Sequence, residues 1–463
     1  MTLSKLAKPV RSRINRRMRA LLISSVFALF VLSSLAPGRA FAEDETKTIT
    51  LDEAYRLAIS SHEAIKIAGE GAMQAGAQVD KAVSQILPKL TAEGSYTAYS
   101  KQETAGAFVI QPDDASRVDV RLTQPLYTGG REWAARRQAR IISSKSMAGQ
   151  EAARDEVIRL TARAYYGVLK ADREIEIKTA ALKRAEERRK IAAARLKVGE
   201  VTRASLLRSE ALLAGAQAGL ISAEAALKDA QSLFARITGM TGAFQLVEPP
   251  VRAMGMQETD ELVKTALEQR SDYRQSLLDE KAADEGISYA KSWFMPSLRF
   301  EGLYSWREQS PKTTFFQKES VSGSLVLAFP IFEGGLRYAE LSEARSKHRE
   351  SEFRRLSLRR DIEVQVREAV DRLEAVSAVI ETYKKQLSFA EEDARMVAEQ
   401  FKYGLAAIVD VIDADGALID AQRSLMNATY DYELAKLALK AVTGRLGEEV
   451  MVRDEEHGLE SGL

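Results

Sequence analysis

Two stretches, Arg131 to Val198 and Leu336 to Tyr403, hold apolar residues at helical spacing for about 68 residues without a proline. In the second, Val366, Ala369, Leu373, Val376, Ile380, Tyr383, Leu387, Ala390, Ala394, Val397 and Phe401 alternate steps of three and four. That is a heptad seam, the mark of coiled-coil packing. The first copy has Ala164, Val168, Ala171, Ile175, Leu182, Ala185, Ala192 and Leu196 at matching places, with Lys178 and Arg189 interrupting. Gly149 and Gly167 weaken it as one unbroken helix. A helix of such length spans roughly 100 Å at 1.5 Å per residue. After each long stretch the chain returns as a helix of half the length, Arg203 to Thr238 and Ile408 to Thr443, with Gly239 and Gly444 as C-caps. Leu51 to Gln85 reads as a further helix, interrupted near Ser60-Ser61-His62. A half-length return leaves part of each long helix uncovered, so ascending and returning helices stacked end to end are expected to flank it.

Between the helical stretches the period changes to two. Leu90, Ala92, Gly94, Tyr96 and Ala98 alternate with polar residues, and Val118, Val120 and Leu122 do the same after a polar loop ending near Ala115. The second half repeats the pattern with Leu298, Phe300, Gly302, Tyr304 and Trp306, then Val321, Gly323, Leu325, Leu327 and Phe329. Strands of about ten residues with one apolar face fit a transmembrane β-barrel wall; a half-buried soluble sheet gives the same alternation. Each hairpin ends at a hinge, Gln124-Pro125-Leu126-Tyr127-Thr128-Gly129-Gly130 in the first half and Phe329-Pro330-Ile331-Phe332-Glu333-Gly334-Gly335 in the second. Proline ends a strand by removing a ladder donor, and the glycine pair permits positive φ where the chain turns into the helix. With Ile86-Leu87-Pro88 against Phe294-Met295-Pro296 and Ile237-Thr238-Gly239 against Val442-Thr443-Gly444, these landmarks recur in order. The chain is an internal duplication.

Residues 1 to 20 carry seven Lys or Arg and no acid, Leu21 to Leu35 are apolar, and Ala40-Phe41-Ala42 offers a cleavage site. That is a secretory signal peptide, too short in its apolar run for a spanning helix. Its removal leaves 59 basic against 66 acidic residues, a net charge near −7, which argues against a nucleic-acid partner. With no cysteine, disulfide frameworks, thiolate metal sites and lipidation at an N-terminal Cys are excluded. His62, His348 and His457 lack ligand spacing, and neither a phosphate loop nor a nucleophile elbow is present. No enzyme activity, cofactor or metal is expected. The organisation read from the chain is a leader over 1–42, a first repeat over 43–250 (hairpin 90–124, helical hairpin 130–239), a second over 251–446 (hairpin 298–329, helical hairpin 335–444), and a tail over 447–463. The fold class is mainly α with a small β part.

The duplicated hinge, paired β-hairpins, long helical hairpins and leader resemble the TolC family of bacterial outer-membrane efflux proteins. The resemblance covers about residues 48 to 446. It implies a homotrimer in outer-membrane lipid, with four strands per subunit closing a twelve-stranded barrel that continues as an α-helical barrel into the periplasm. Four strands cannot close alone, and an open edge in lipid leaves backbone groups unsatisfied. It further implies an exit duct for a tripartite efflux pump or type I secretion system, docked to a periplasmic adaptor and an inner-membrane transporter. The tips Val198-Gly199-Glu200-Val201-Thr202 and Tyr403-Gly404-Leu405-Ala406 resemble the family's adaptor-contact motif, with Glu200 in place of Leu and Ala406 in place of Ser or Thr. Asp410 and Asp413 resemble the family's ring of aspartates at the periplasmic entrance; an acid at a helix start is the plainer account of both. The competing function is a periplasmic coiled-coil adaptor or scaffold without a pore, which would show one helical hairpin within β-rich domains.

Overall fold

The computed structural model describes residues 47–106, 108–250, 255, 257–312 and 316–447. The expected leader and all of the tail beyond Gly447 lie outside them. Of the described residues, those of Thr48–Thr241 and from Leu246 onward form one large unit, and Lys47 and Gly242–Gln245 belong to a separate small one. In chain order the elements are β1 (Lys47–Ile49), α1 (Leu51–Ser61), α2 (Glu63–Ser84), β2 (Lys89–Ala98), β3 (Glu103–Ala105), β4 (Phe108–Gln111), β5 (Asp114–Tyr127), α3 (Arg131–Lys197) and α4 (Arg203–Thr238). The second half continues with β6 (Phe244–Leu246), α5 (Thr259–Gln269), α6 (Ser271–Ser292), β7 (Ser297–Ser310), β8 (Glu319–Ala328), α7 (Leu336–Lys402) and α8 (Ile408–Val442).

Both long helices run unbroken for 67 residues. Gly149 and Gly167 do not interrupt α3, although each costs about 1 kcal/mol relative to alanine. Burial offsets that cost: Ala148, Tyr165, Tyr166, Val168 and Leu169 are all enclosed around them. In α7 the heptad seam is the covered stripe, with every seam residue from Val366 to Phe401 buried or half-buried. Lys178 and Arg189, which interrupt the α3 seam, are accommodated by ion pairs with Glu174 (3.6 Å) and with Glu210 of α4 (3.8 Å).

The long helices are flanked as the half-length returns require. Helix α3 packs against α2 and α4 and also against α6 and α8; α7 packs against α5, α6 and α8. Where α4 ends, Gly239 adopts φ +70° and Ser61 Oγ donates to the Thr238 carbonyl (2.9 Å) at the α1–α2 break. The second repeat builds the same joint differently. Gly444 sits at φ +76°, where an added Cβ would come within 2.9 Å of the Arg270 backbone nitrogen at the α5–α6 break. Arg270 binds both Asp272 oxygens (3.0 and 2.7 Å) and donates to Gln365 of α7 (2.8 Å). Burial pushes the Asp272 carboxyl up, but hydrogen bonds and charge from Arg270 outweigh it and hold the group below the ordinary carboxylate value. Near the start of the first repeat, Tyr165 of α3 donates to the carbonyls of Ile49 (3.1 Å) and Val247. Burial raises its phenol well above the usual value.

One antiparallel sheet carries the four long strands in the order β2-β5-β7-β8. Its register separates two faces. Val120 lies opposite Ala92 and Tyr304, Tyr304 opposite Val321, and Phe300 opposite Leu325, so one face is apolar. The other holds a charged ladder: Asp119 pairs with Arg117 (2.6 Å) and accepts from Ser305 (2.7 Å), while Glu301 pairs with Arg299 (2.6 Å). Two expectations are corrected here. Pro125 does not stop its strand, because β5 continues to Tyr127 through a register shift between Pro125 and Tyr127; a bulge tolerates the missing donor. The expected polar loop before Ala115 contains a short hairpin, β3 with β4. In the second copy β8 ends at Ala328, before Pro330.

Candidate channel entrance and helical tips

Each helical hairpin turns at a glycine in the left-handed region, Gly199 at φ +82° and Gly404 at φ +84°. Thr202 caps α4 by accepting from the Ser205 amide (3.3 Å). Ala407 has no such side chain, and α8 is capped from within: the Ala407 amide donates to the Asp410 carboxylate (2.8 Å). The two tips are clamped by Arg195, at the end of α3. Its guanidinium donates to the Phe401 carbonyl (2.8 Å) and to Glu200 (3.0 Å), and lies 5.5 Å from the Phe401 ring centre. Glu200, one of the two departures from the family motif, thus holds Arg195 within the first tip, while the bond to Phe401 crosses to the second. Val198, Tyr403 and Leu405 project outward, each more than 70% exposed. Beneath them Ala192, Phe401, Ile408 and Val411 form a small core.

Asp410 and Asp413 both lie on the exposed side of α8, whereas Ile408, Val411, Ala414, Asp415 and Leu418 line its covered side. The structure therefore brings the two expected entrance aspartates to one face, and gives Asp410 a helix-start bond as well. Sequence reading missed the third acid of this turn. Asp415 is 5% exposed and lies between Arg184 (3.2 Å) and Arg188 (3.6 Å), both from α3. A charged residue among the apolar positions Val411, Ala414 and Leu418 was the signal available in the sequence.

The hinges place the tips and the sheet on one continuous chain. Gly129, Gly130, Gly334 and Gly335 all have positive φ, +66°, +84°, +62° and +86°. Gly129 alone among them is also sterically closed: a Cβ there would lie 2.6 Å from the Ser292 carbonyl and 2.7 Å from the Met295 Cβ. Arg131 stacks over Trp293 at 4.4 Å and Arg337 over Phe294 at 5.4 Å, fastening each long helix at its hinge. Pro125 lies within β5, and Pro330 follows β8. Among the described residues no helix is long and apolar enough to cross a membrane, and no His, Asp or Glu group is placed to hold a metal ion.

The sequence model of the family described as outer membrane efflux protein matches residues 54–240 and 262–445, one segment in each repeat. The outer membrane protein TolC of Vibrio cholerae is 26% identical over 373 residues, covering 75% of this chain and 82% of the relative. The alkaline protease secretion protein AprF of Pseudomonas aeruginosa is 25% identical over 378 residues, 76% of this chain and 75% of the relative. Among solved structures, the outer membrane protein VceC of Vibrio cholerae has the same fold, with a TM-score of 0.72 at 19% identity over 85% of this chain and 96% of VceC. The resemblance to the TolC family is borne out, and the reading as an adaptor without a pore falls. A family model spanning both repeats, on a fold of long helical hairpins and a four-stranded sheet, settles the assignment: the chain belongs to the outer membrane efflux protein family and is an outer-membrane exit duct that extends into the periplasm.

Proposed function

We propose that three copies of this chain complete the duct, that Asp410 and Asp413 guard its periplasmic entrance, and that the tips receive an adaptor bound to an inner-membrane transporter. The observation that carries the assembly is the unfinished sheet. Strands β2 and β8 are its two edges, each ten residues long. Equal length lets β8 of one copy pair with β2 of the next, and closure removes the lipid-exposed edges. The helices are unfinished in the same sense. Helix α7 leaves Phe353, Phe389 and Met396 exposed, while α2 exposes Ile67 and α4 exposes Ile221. Mass measurement in detergent tests the assembly; a folded monomer in detergent would sink it.

Threefold symmetry would gather six carboxylates from Asp410 and Asp413 around one axis, where like charges repel and concentrate cations. The exposed tip residues Val198, Tyr403 and Leu405, with Gly199, Glu200, Val201, Thr202, Gly404 and Ala406 between them, support adaptor docking. Replacing both aspartates by Asn keeps size and removes charge. Single-channel recording should then show weaker cation selectivity and weaker block by multivalent cations from the periplasmic side. The trimer should survive, since a first-turn acid contributes only about 0.3–1 kcal/mol through the helix dipole. Unchanged selectivity in an assembled double variant returns both residues to the helix-start role.

A further inference from the structure

Arg184, Arg188 and Asp415 form a charged cluster between α3 and α8, away from the exposed face that carries Asp410 and Asp413. Asp415 is 5% and Arg188 9% exposed. The two guanidiniums come from successive turns of α3, one to each carboxylate oxygen, at 3.2 and 3.6 Å. Neither oxygen accepts an aligned hydrogen bond. A buried ion cluster with such geometry recovers little of its desolvation cost, and its best-attested use is to specify register. On the α3 side the surroundings leave register open. Helix α3 carries the buried Ala181 and Ala185 beside the two arginines and α8 carries Ala414, while Leu418 of α8 packs on the other side against the α7 seam at Leu387, Ala394 and Val397. Small side chains interdigitate weakly, so apolar packing between α3 and α8 tolerates some rotation of α8. At about 100° per residue, Asp415 lies some 140° to 160° around the helix from Asp410 and Asp413.

We infer that Asp415, held by Arg184 and Arg188, is the positioning residue that fixes the rotation of α8 against α3 and so aims Asp410 and Asp413 at the entrance axis. The inference rests on the entrance reading. With side chains carried about 5–6 Å from the helix axis, a 40° rotation moves a carboxylate by roughly 4 Å. That is enough to change how closely three copies approach.

The test replaces the whole cluster by apolar residues, Arg184→Met, Arg188→Met and Asp415→Leu, so that no unpaired charge is left buried. Natural cysteine is absent, so Val409→Cys on the exposed face of α8 offers one clean spin-label site per copy. The triple variant should assemble with an unchanged or higher melting temperature. Its label-to-label distance distribution should widen at least twofold, and block by lanthanum(III) should weaken at least fivefold with Asp410 and Asp413 intact. A distribution as narrow as that of the unsubstituted protein would overturn the inference. Failure of the triple variant to assemble would overturn it too, because the cluster would then be holding the fold together. If Asp410→Asn with Asp413→Asn leaves lanthanum block unchanged while the triple variant still widens the distances, the entrance reading falls and the positioning of α8 stands.

Discussion

Gly129 and Gly334 occupy equivalent hinge positions with nearly the same backbone, φ +66° and +62°, yet they should respond differently to alanine. Each substitution forces an L-residue into the left-handed region, at about 1–2 kcal/mol. For Gly334 that is the whole effect within one copy, since nothing lies within 4 Å of the added Cβ. At Gly129 the Cβ would meet the Ser292 carbonyl at 2.6 Å and the Met295 Cβ at 2.7 Å. The first of these is backbone at the end of α6 and cannot rotate aside, so an overpacking cost of about 1–3 kcal/mol is added. Gly129→Ala should therefore lose about 2–5 kcal/mol per copy against about 1–2 for Gly334→Ala, a difference multiplied by three in a trimer. The assay is heat dissociation of the purified oligomer in detergent at a fixed scan rate, because unfolding of such an assembly reads as a rate. Gly129→Ala should dissociate at a clearly lower temperature, and adding Met295→Ala should recover little of the loss, because alanine keeps the Cβ that lies 2.7 Å away. Equal shifts for the two single variants would refute the claim that close approach, and not φ alone, requires Gly129.

Leu325 lies on the apolar sheet face opposite Phe300, and Ser324 on the charged face opposite Glu301. Leu325→Arg should block membrane assembly at a cost of roughly 2–4 kcal/mol near the bilayer midplane, while Ser324→Arg assembles; fractionation of outer membranes decides it. At the tips, Arg195→Ala removes the charged donor to the Phe401 carbonyl, which keeps the Gly404 amide (3.2 Å); losing a hydrogen bond from a charged group costs about 1.5–3 kcal/mol, and hydrogen exchange at residues 403–406 should rise about tenfold or more. Glu200→Leu keeps that bond, removes only an exposed ion pair worth at most about 1 kcal/mol, and should change exchange far less. Asp272 tests the sign of a pH effect. Its carboxyl is held below the ordinary value when folded, so its stabilisation is present above the unfolded pKa of about 3.9 and fades as pH falls through the folded one. The stability gap between the unsubstituted protein and Asp272→Asn should accordingly be full at pH 6 and shrink below about pH 4; a gap unchanged at pH 2 would contradict this.

The local periods were enough to read much of this fold from the amino-acid sequence. The heptad run from Val366 to Phe401 became the covered stripe of α7, and the alternation of Phe300, Gly302 and Tyr304 became one face of β7, because both depend on spacing along a single element. The duplication was legible for the same reason, since each hinge is a run of adjacent residues. What sequence could not show depends on which elements meet. Pro125 reads as a strand terminator until pairing with β7 reveals the bulge that accommodates it. The four hinge glycines read alike, and only the approach of α6 separates Gly129 from the others. Asp415 sits more than two hundred residues from Arg184 and Arg188, so no window along the chain contains the cluster. The difference is physical. Periodicity is imposed by bonds between near neighbours, whereas the partner of a buried charge, or the atom a missing Cβ makes room for, is chosen by the packing of distant segments in the folded chain.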